Sequence, residues 1–217
     1  IWITNMDGLE WKRDKWKWHI KLLTKYMEKL AVNNSDFIVS DNVGIKNYYK
    51  SKFYKDSKYI AYGAEIPKTV FVDVLNEYSI NKFEFFLIIA RMEPENKIEM
   101  ILNGYVSSNA HNIPFILVGN FKTNFGRFLT KKYKKFKNIR FIGGLYSKKK
   151  LDSLRKFALI YFHGHTVGGT NPSLLEAMSV GAYISANDNI FNRSVLKKNG
   201  VYFSSENDIT TLINSTD

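Results

Sequence analysis

The sequence predicts an α/β protein built from doubly wound units with parallel sheets. Three observations carry this. Strand-like and helix-like patterns alternate along the whole chain. The strand candidates at 85–90 and 115–119 are apolar on both faces, as strands covered by helices on two sides must be. A breaker cluster, Gly63-Ala64-Glu65-Ile66-Pro67, separates a short first unit from a longer second one.

Taken in order, residues 1–5 form a short β run. Residues 15–33 form a long amphipathic helix, with Trp18, Leu22, Tyr26 and Leu30, and Trp16, Leu23 and Met27, at helical spacing. A buried strand follows at 36–40, a helix at 43–52 and a strand at 58–62. In the second unit the strand at 85–90 leads to a helix at 94–107 that carries Pro94 in its first turn. Next come a strand at 115–119, a helix at 125–133, a strand at 139–142 and a helix at 148–157. A strand at 158–162, a helix at 172–179 and strands at 182–185 and 201–203 complete the pattern.

The 217 residues are 45% hydrophobic and 15% aromatic, enough for a packed core and against global disorder. The chain has no cysteine, which removes disulfides and cysteine metal sites and fits a reducing cytoplasm. No apolar run approaches the ~20 residues of a membrane span. The chain opens on Ile1, and the first unit holds about three strands, too few for a complete doubly wound sheet. The expectation is that an upstream part of the first domain lies outside this sequence. The net charge of +12 admits three partners: nucleic acid, anionic lipid or a phosphorylated ligand. The local run Lys131-Lys132-Tyr133-Lys134-Lys135-Phe136-Lys137 reads as a solvated helix end or as a face for an anionic membrane.

In open parallel sheets, ligands bind beyond the carboxyl ends of the strands. Arg91 follows one such end, and Lys97 lies near the start of the next helix. Two cations and a helix N-terminus suit a diphosphate; the alternative is an Arg91 pair with Glu93 or Glu95. After the strand at 158–162 comes His163-Gly164-His165-Thr166-Val167-Gly168-Gly169-Thr170-Asn171-Pro172, leading into a helix. Gly168 and Gly169 permit close backbone approach, Thr170 or Asn171 caps the helix, and Glu176 can accept hydrogen bonds from a ribose diol. Glu176 can equally complement the helix dipole, although its apolar neighbours require a partner for it if buried. His163 and His165 share a strand face like a metal pair, but no third ligand clusters with them. In the first unit, Asp7 and Glu10 are site carboxylates or a cap with a first-turn acid. Glycine fingerprints of dinucleotide and P-loop sites, a nucleophile elbow and nucleic-acid modules are all missing.

The block Val167-Gly168-Gly169-Thr170-Asn171-Pro172-Ser173-Leu174-Leu175-Glu176-Ala177-Met178 resembles the donor-site motif of family 4 glycosyltransferases, nearest a bacterial rhamnosyltransferase-like branch. Asp7-Gly8-Leu9-Glu10-Trp11-Lys12-Arg13, Ala61-Tyr62-Gly63-Ala64-Glu65, Ala90-Arg91-Met92-Glu93-Pro94-Glu95-Asn96 and Asn187-Asp188-Asn189-Ile190-Phe191-Asn192-Arg193 support it in the family's order. The resemblance implies a GT-B arrangement of two Rossmann-like domains. Residues 1–64 would be the remnant of an acceptor-side domain and 65–217 the donor-binding domain. It implies that Glu176 holds the ribose, that Arg91 and Lys97 hold the diphosphate, and that Gly168, Gly169, Thr170, Asn171 and His165 line the sugar and phosphates. Gly144 would border the base, and Asp7 would be the catalytic or acceptor-side carboxylate. Members of this type generally retain configuration and use no metal or other cofactor.

Three departures stand out. Gly168 replaces the first of the family's two glutamates, Asn96 stands nearest the place of its phosphate lysine, and Asp7 replaces its cleft histidine. The expected activity is sugar transfer from a nucleotide-sugar donor to a glycan or lipid-linked acceptor in cell-surface polysaccharide synthesis. The expected setting is the cytoplasm, at the inner face of the membrane, with no nucleic-acid partner. The alternative is a non-catalytic basic α/β module that binds anionic lipid or nucleic acid. These residues alone are expected to turn over poorly, because the upstream part would hold half of the acceptor cleft.

Overall fold

The computed structural model describes residues 1–216. The first unit is a parallel three-stranded sheet of β1 (Ile3–Met6), β2 (Phe37–Ser40) and β3 (Lys58–Tyr59), in that order. Helices α1 (Trp18–Asn34) and α2 (Val43–Phe53) connect these strands. The second unit is a parallel six-stranded sheet formed by β4 (Phe86–Ile89), β5 (Phe115–Val118), β6 (Ile139–Gly143), β7 (Ile160–His163), β8 (Ile184–Asn187) and β9 (Val201–Phe203). Its spatial order is β6-β5-β4-β7-β8-β9. Five helices serve it: α3 (Ile98–Ser107), α4 (Asn124–Lys132), α5 (Lys148–Phe157), α6 (Pro172–Ser179) and α7 (Ile190–Leu196). A sixth, α8 (Glu206–Asn214), packs on α3. The predicted α/β class with parallel strands is what the chain adopts.

Alternation along the central strands fills two cores. Phe86, Ile88, Phe115, Leu117, Ile160 and Phe162 face one side of the larger sheet. Leu87, Ile116, Val118 and Tyr161 face the other. Burial on both faces is why these segments read as continuous apolar runs. The strand order turns back at β4: β5 and β6 lie on one side, and β7 to β9 on the other. That reversal opens a crevice between the carboxyl ends of β4 and β7.

Several boundaries shift. Residue 97 has a left-handed backbone (φ 48°), so the single helix expected at 94–107 is a 3-10 turn, Pro94–Asn96, followed by α3. The strand expected at 58–62 ends at Tyr59, because only Lys58 and Tyr59 pair with β2. Helices α7 and α8 and the 3-10 helix Val72–Tyr78 were not anticipated from periodicity.

The orientation of α1 is the largest difference. Trp18, Leu22, Leu23, Tyr26, Met27 and Leu30 all face solvent. Glu28 and Val32 are the buried residues. Glu28 can turn inward because three groups satisfy it: the Tyr48 hydroxyl at 3.2 Å, the Tyr49 hydroxyl at 3.1 Å and the Lys52 ammonium at 3.3 Å. Periodicity reveals that a helix has an apolar face, not which way that face points.

The two units share side chains. Phe191, on α7 of the second unit, sits in the first unit's core with Met6, Leu9, Val32, Ile38, Ile45 and Tyr49. Truncating it empties that junction. Phe191→Ala is expected to lower the unfolding free energy by about 3 kcal/mol, read from chemical denaturation. A loss under about 0.5 kcal/mol would mean that the side chain is not packed as described.

Candidate donor site

The crevice at the β4–β7 reversal is a cleft of about 480 Å³. Arg91 and Asn96 line it from the segment after β4, Gly144 and Tyr146 from the segment after β6, and His165 from the segment after β7. Helix α6 supplies Asn171, Pro172, Ser173 and Glu176. Asn171, not Thr170, is the cap: its Oδ1 accepts from the Ser173 amide at 2.9 Å. With Pro172 at the first helical position, the α6 N-terminus offers its dipole to an anion in the cleft.

Glu176 lies on the second turn of α6, and its partner is Arg155. The Nη2 group of Arg155 stands 2.6 Å from Glu176 Oε2 and donates to Ser173 Oγ at 3.1 Å. Arg155 is only 1% exposed and lies 3.5 Å from Asp152, one turn earlier on α5. Lys148 in turn donates to Asp152 at 2.9 Å. Arg155 Nε and Nη1 remain buried with no hydrogen-bond partner among the described residues. A buried guanidinium behind Glu176 fixes the carboxylate at the cleft wall. Nothing in the helical pattern marked Arg155, because a basic residue on an otherwise polar helix reads as solvated.

A second compartment of about 210 Å³ adjoins the cleft and joins the two units. It brings together Asp7, Arg13, Asp41, Arg91, His165 and residues 168–172. The Gly169 amide donates to the Asp7 carbonyl at 2.7 Å. Arg91 forms no salt bridge among the described residues; Glu95 faces Arg13 instead, at 3.7 Å. Glu10 bonds to Arg13 and to the Trp16 indole, so it is a local tether. Asp7 follows β1 without capping the 3-10 turn at 10–12, whose N-cap is Leu9.

Nine of the ten residues expected at the site thus line the cleft or its second compartment. Lys97 does not. It lines a separate hollow with Asp14, Pro94, Glu99, Asn103 and Glu206. Its left-handed turn separates it from Asn96, whose Nδ2 donates to the Arg91 carbonyl at 2.7 Å and whose Oδ1 meets His165 Nδ1 at 3.1 Å. Asn96 therefore occupies the wall that a lysine was expected to serve. Asp41 and Asn42 were also missed, although they directly follow a predicted strand.

His163 and His165 have ring centroids 6.1 Å apart. No group of three or more His, Asp or Glu side chains that could hold a metal ion stands together among the described residues. Both imidazoles are held well below the usual histidine value. Burial pushes His163 down to about 3, helped by the neighbouring His165 and Arg155. Burial, then the charges of Arg13 and Arg91, pushes His165 down to about 4. The unfolded chain takes up protons near 6.5 that the folded chain refuses. Their stabilising contribution is therefore complete above 6.5 and declines as the pH falls from there toward 4. The thermal midpoint should drop between about pH 7 and about pH 5, and should drop less in His163→Gln. An equal drop in the variant would locate the sensitivity elsewhere.

Comparison with known proteins gives the family. Residues 75–215 match the model described as "Glycosyl transferases group 1". Residues 1–65 match a domain of unknown function, DUF1972. A search of the curated proteins returns no match. Among solved structures, HepE from Anabaena in complex with UDP-glucose superposes with a TM-score of 0.80 at 14% identity, over 98% of this chain and 61% of that one. The sucrose-phosphate synthase of Thermosynechococcus elongatus gives 0.75 at 13% identity, over 99% and 58%. TarM from S. aureus, as a mutant complex containing UDP, gives 0.70 at 15% identity, over 99% and 43%. The chain thus spans between 43% and 61% of the length of these three structures, and at such identities the likeness is one of fold. No helix among the described residues is long and apolar enough to cross a membrane. With its second unit matched almost end to end and its GT-B architecture, the chain belongs to the group 1 glycosyl transferase family.

Proposed function

We propose that the cleft binds a nucleoside-diphosphate sugar and that the whole protein moves the sugar, a hexose or a deoxyhexose such as rhamnose, to a glycan or lipid-linked acceptor. The observation that carries this reading is the pairing of Glu176 with buried Arg155 at the mouth of a helix N-terminus, facing Arg91 across the cleft. A carboxylate fixed on one side by a guanidinium keeps lone pairs for a ribose diol. Arg91 and the α6 N-terminus suit the diphosphate, and residues 168–171 the sugar and phosphates. Tyr146 and Gly144 border the place of the base. Asp7 would face the acceptor.

The chemistry would be electrostatic. As the sugar–phosphate bond breaks, charge grows on the departing diphosphate, and Arg91 and the α6 N-terminus, which line the cleft, would stabilise it. This scheme uses no metal and no other cofactor. Enclosure by the first unit would exclude water and limit donor hydrolysis. Work at the cytoplasmic face of a membrane is supported by the net charge of +12 and by the solvent-facing Trp18, Leu22 and Tyr26 beside exposed Lys25 and Lys29. A role in cell-surface polysaccharide synthesis fits such a setting.

Calorimetric titration with UDP, GDP and TDP at low and moderate salt tests the donor site. Selective binding of one nucleotide that survives added salt is the expected result. Weak, unselective binding erased by salt would favour a basic surface for anionic polymers or lipids instead.

A further inference from the structure

The residues that follow the first two strands reach across to the second unit. Asp41 comes directly after β2 and is 1% exposed. Its Oδ2 accepts from the Thr170 amide at 2.6 Å, and its backbone carbonyl accepts from the Thr170 hydroxyl at 2.8 Å. Next to it, Asn42 Nδ2 donates to the Phe191 carbonyl at 3.3 Å, and Asn42 Oδ1 accepts from the Ser194 hydroxyl at 3.0 Å. The Asp7 carbonyl, after β1, takes the Gly169 amide. Two successive amides of the segment between β7 and α6 are therefore satisfied by the other unit, immediately before the helix that carries Glu176.

The fit is close from both directions. A Cβ on Gly169 would lie 2.5 Å from Asp41 Oδ2 and closer still to Oδ1, so only glycine lets the carboxylate approach this near. Asp41 Oδ1 is buried with no hydrogen-bond partner among the described residues. Burial raises the pKa of this carboxyl, the Thr170 hydrogen bond offsets part of the rise, and the charge of Asp7 adds to it. A charged group held in so unfavourable a place contributes little net stability through its charge, which points to a role in the site.

We propose that Asp41 is a positioning residue for sugar transfer: it holds residues 168–170 in their donor-binding shape only while the two units are together. Closure of the cleft and assembly of the donor site are then one event. The inference rests on the proposed transferase activity. Its rival is that the carboxylate blocks the Thr170 amide and must leave before a donor can bind.

The test compares the intact protein with Asp41→Ala, Asp41→Asn and Gly169→Ala. The readouts are amide hydrogen exchange, titration with UDP, GDP and TDP, and transfer kinetics. In Asp41→Ala, exchange at the Thr170 amide should rise at least about tenfold, while amides of β5 stay protected. Turnover should fall at least about tenfold, and nucleotide affinity should weaken rather than tighten, because residues 168–170 no longer hold their donor-binding shape. Asp41→Asn keeps an acceptor oxygen and should recover most of the Thr170 protection. Gly169→Ala displaces the carboxylate from the opposite side and should repeat the alanine result. Unchanged exchange at Thr170 in Asp41→Ala overturns the proposal, even in a protein that shows no transfer at all. Tighter nucleotide binding in Asp41→Ala overturns it in favour of the blocking role.

Discussion

Glu176→Ala is expected to weaken nucleoside-diphosphate binding by about 100-fold or more, since two hydrogen bonds to a carboxylate contribute about 1.5–3 kcal/mol each. The geometry allows this because Arg155 engages Glu176 through Oε2 and fixes the side chain without exhausting it. The same change removes one of two anionic partners from a buried guanidinium, and Asp152 remains as the other. The stability loss should therefore be small, about 1 kcal/mol, because Glu176 is itself about a third exposed. Binding calorimetry beside chemical denaturation separates the two effects. Nucleotide affinity unchanged in a folded Glu176→Ala protein would remove the ribose role from this residue. The partner change, Arg155→Met, should show the reverse balance: a stability loss of about 2 kcal/mol from leaving buried Asp152 with Lys148 as its remaining charged partner, with weaker binding as a secondary result.

Gly164→Ala is expected to cost about 3 kcal/mol of stability or to prevent folding. Gly164 ends the strand run of β7 where the chain crosses the turn after β4. A Cβ there would fall inside the contact radius of the Asn96 carbonyl oxygen and 2.8 Å from its carbon. That obstacle is backbone in the core of the site, so it cannot swing aside as a surface side chain would. Any relaxation would separate Asn96 from His165 and widen the crevice that both residues line. A soluble Gly164→Ala protein with wild-type denaturation and wild-type nucleotide affinity would show that the two segments are not in such contact.

The elements differ in how plainly the sequence announces them. The helix Lys148–Phe157 is announced locally, by the Ser147 cap just before it and by its own apolar spacing, and both boundaries agree with expectation. The start of α6 is equally legible, because Asn171 and Pro172 form a local signal. Helix α8 also carries a local start signal, the capping box of Ser205 and Asp208. Lys97 is the opposite case. Its sequence position suits a phosphate contact, but a left-handed backbone at that residue sends it to a different hollow. Asp41 lay in view at a strand end, yet its role depends on Thr170, 129 residues away.

By itself the sequence determined the alternation of strands and helices, the burial of the central strands on both faces, and the motif around Glu176. These follow from local spacing, capping and side-chain chemistry, which need no knowledge of distant residues. Only the tertiary structure decided which face of α1 meets solvent, which of two adjacent residues at 96 and 97 enters the cleft, and that Arg155 contacts Ser173 and Glu176 on α6 while Asp41 reaches across to Thr170. Such decisions depend on satisfying buried charge and on close packing between segments far apart in sequence. A carboxylate or guanidinium reads as polar surface until its partner, folded against it, makes burial tolerable.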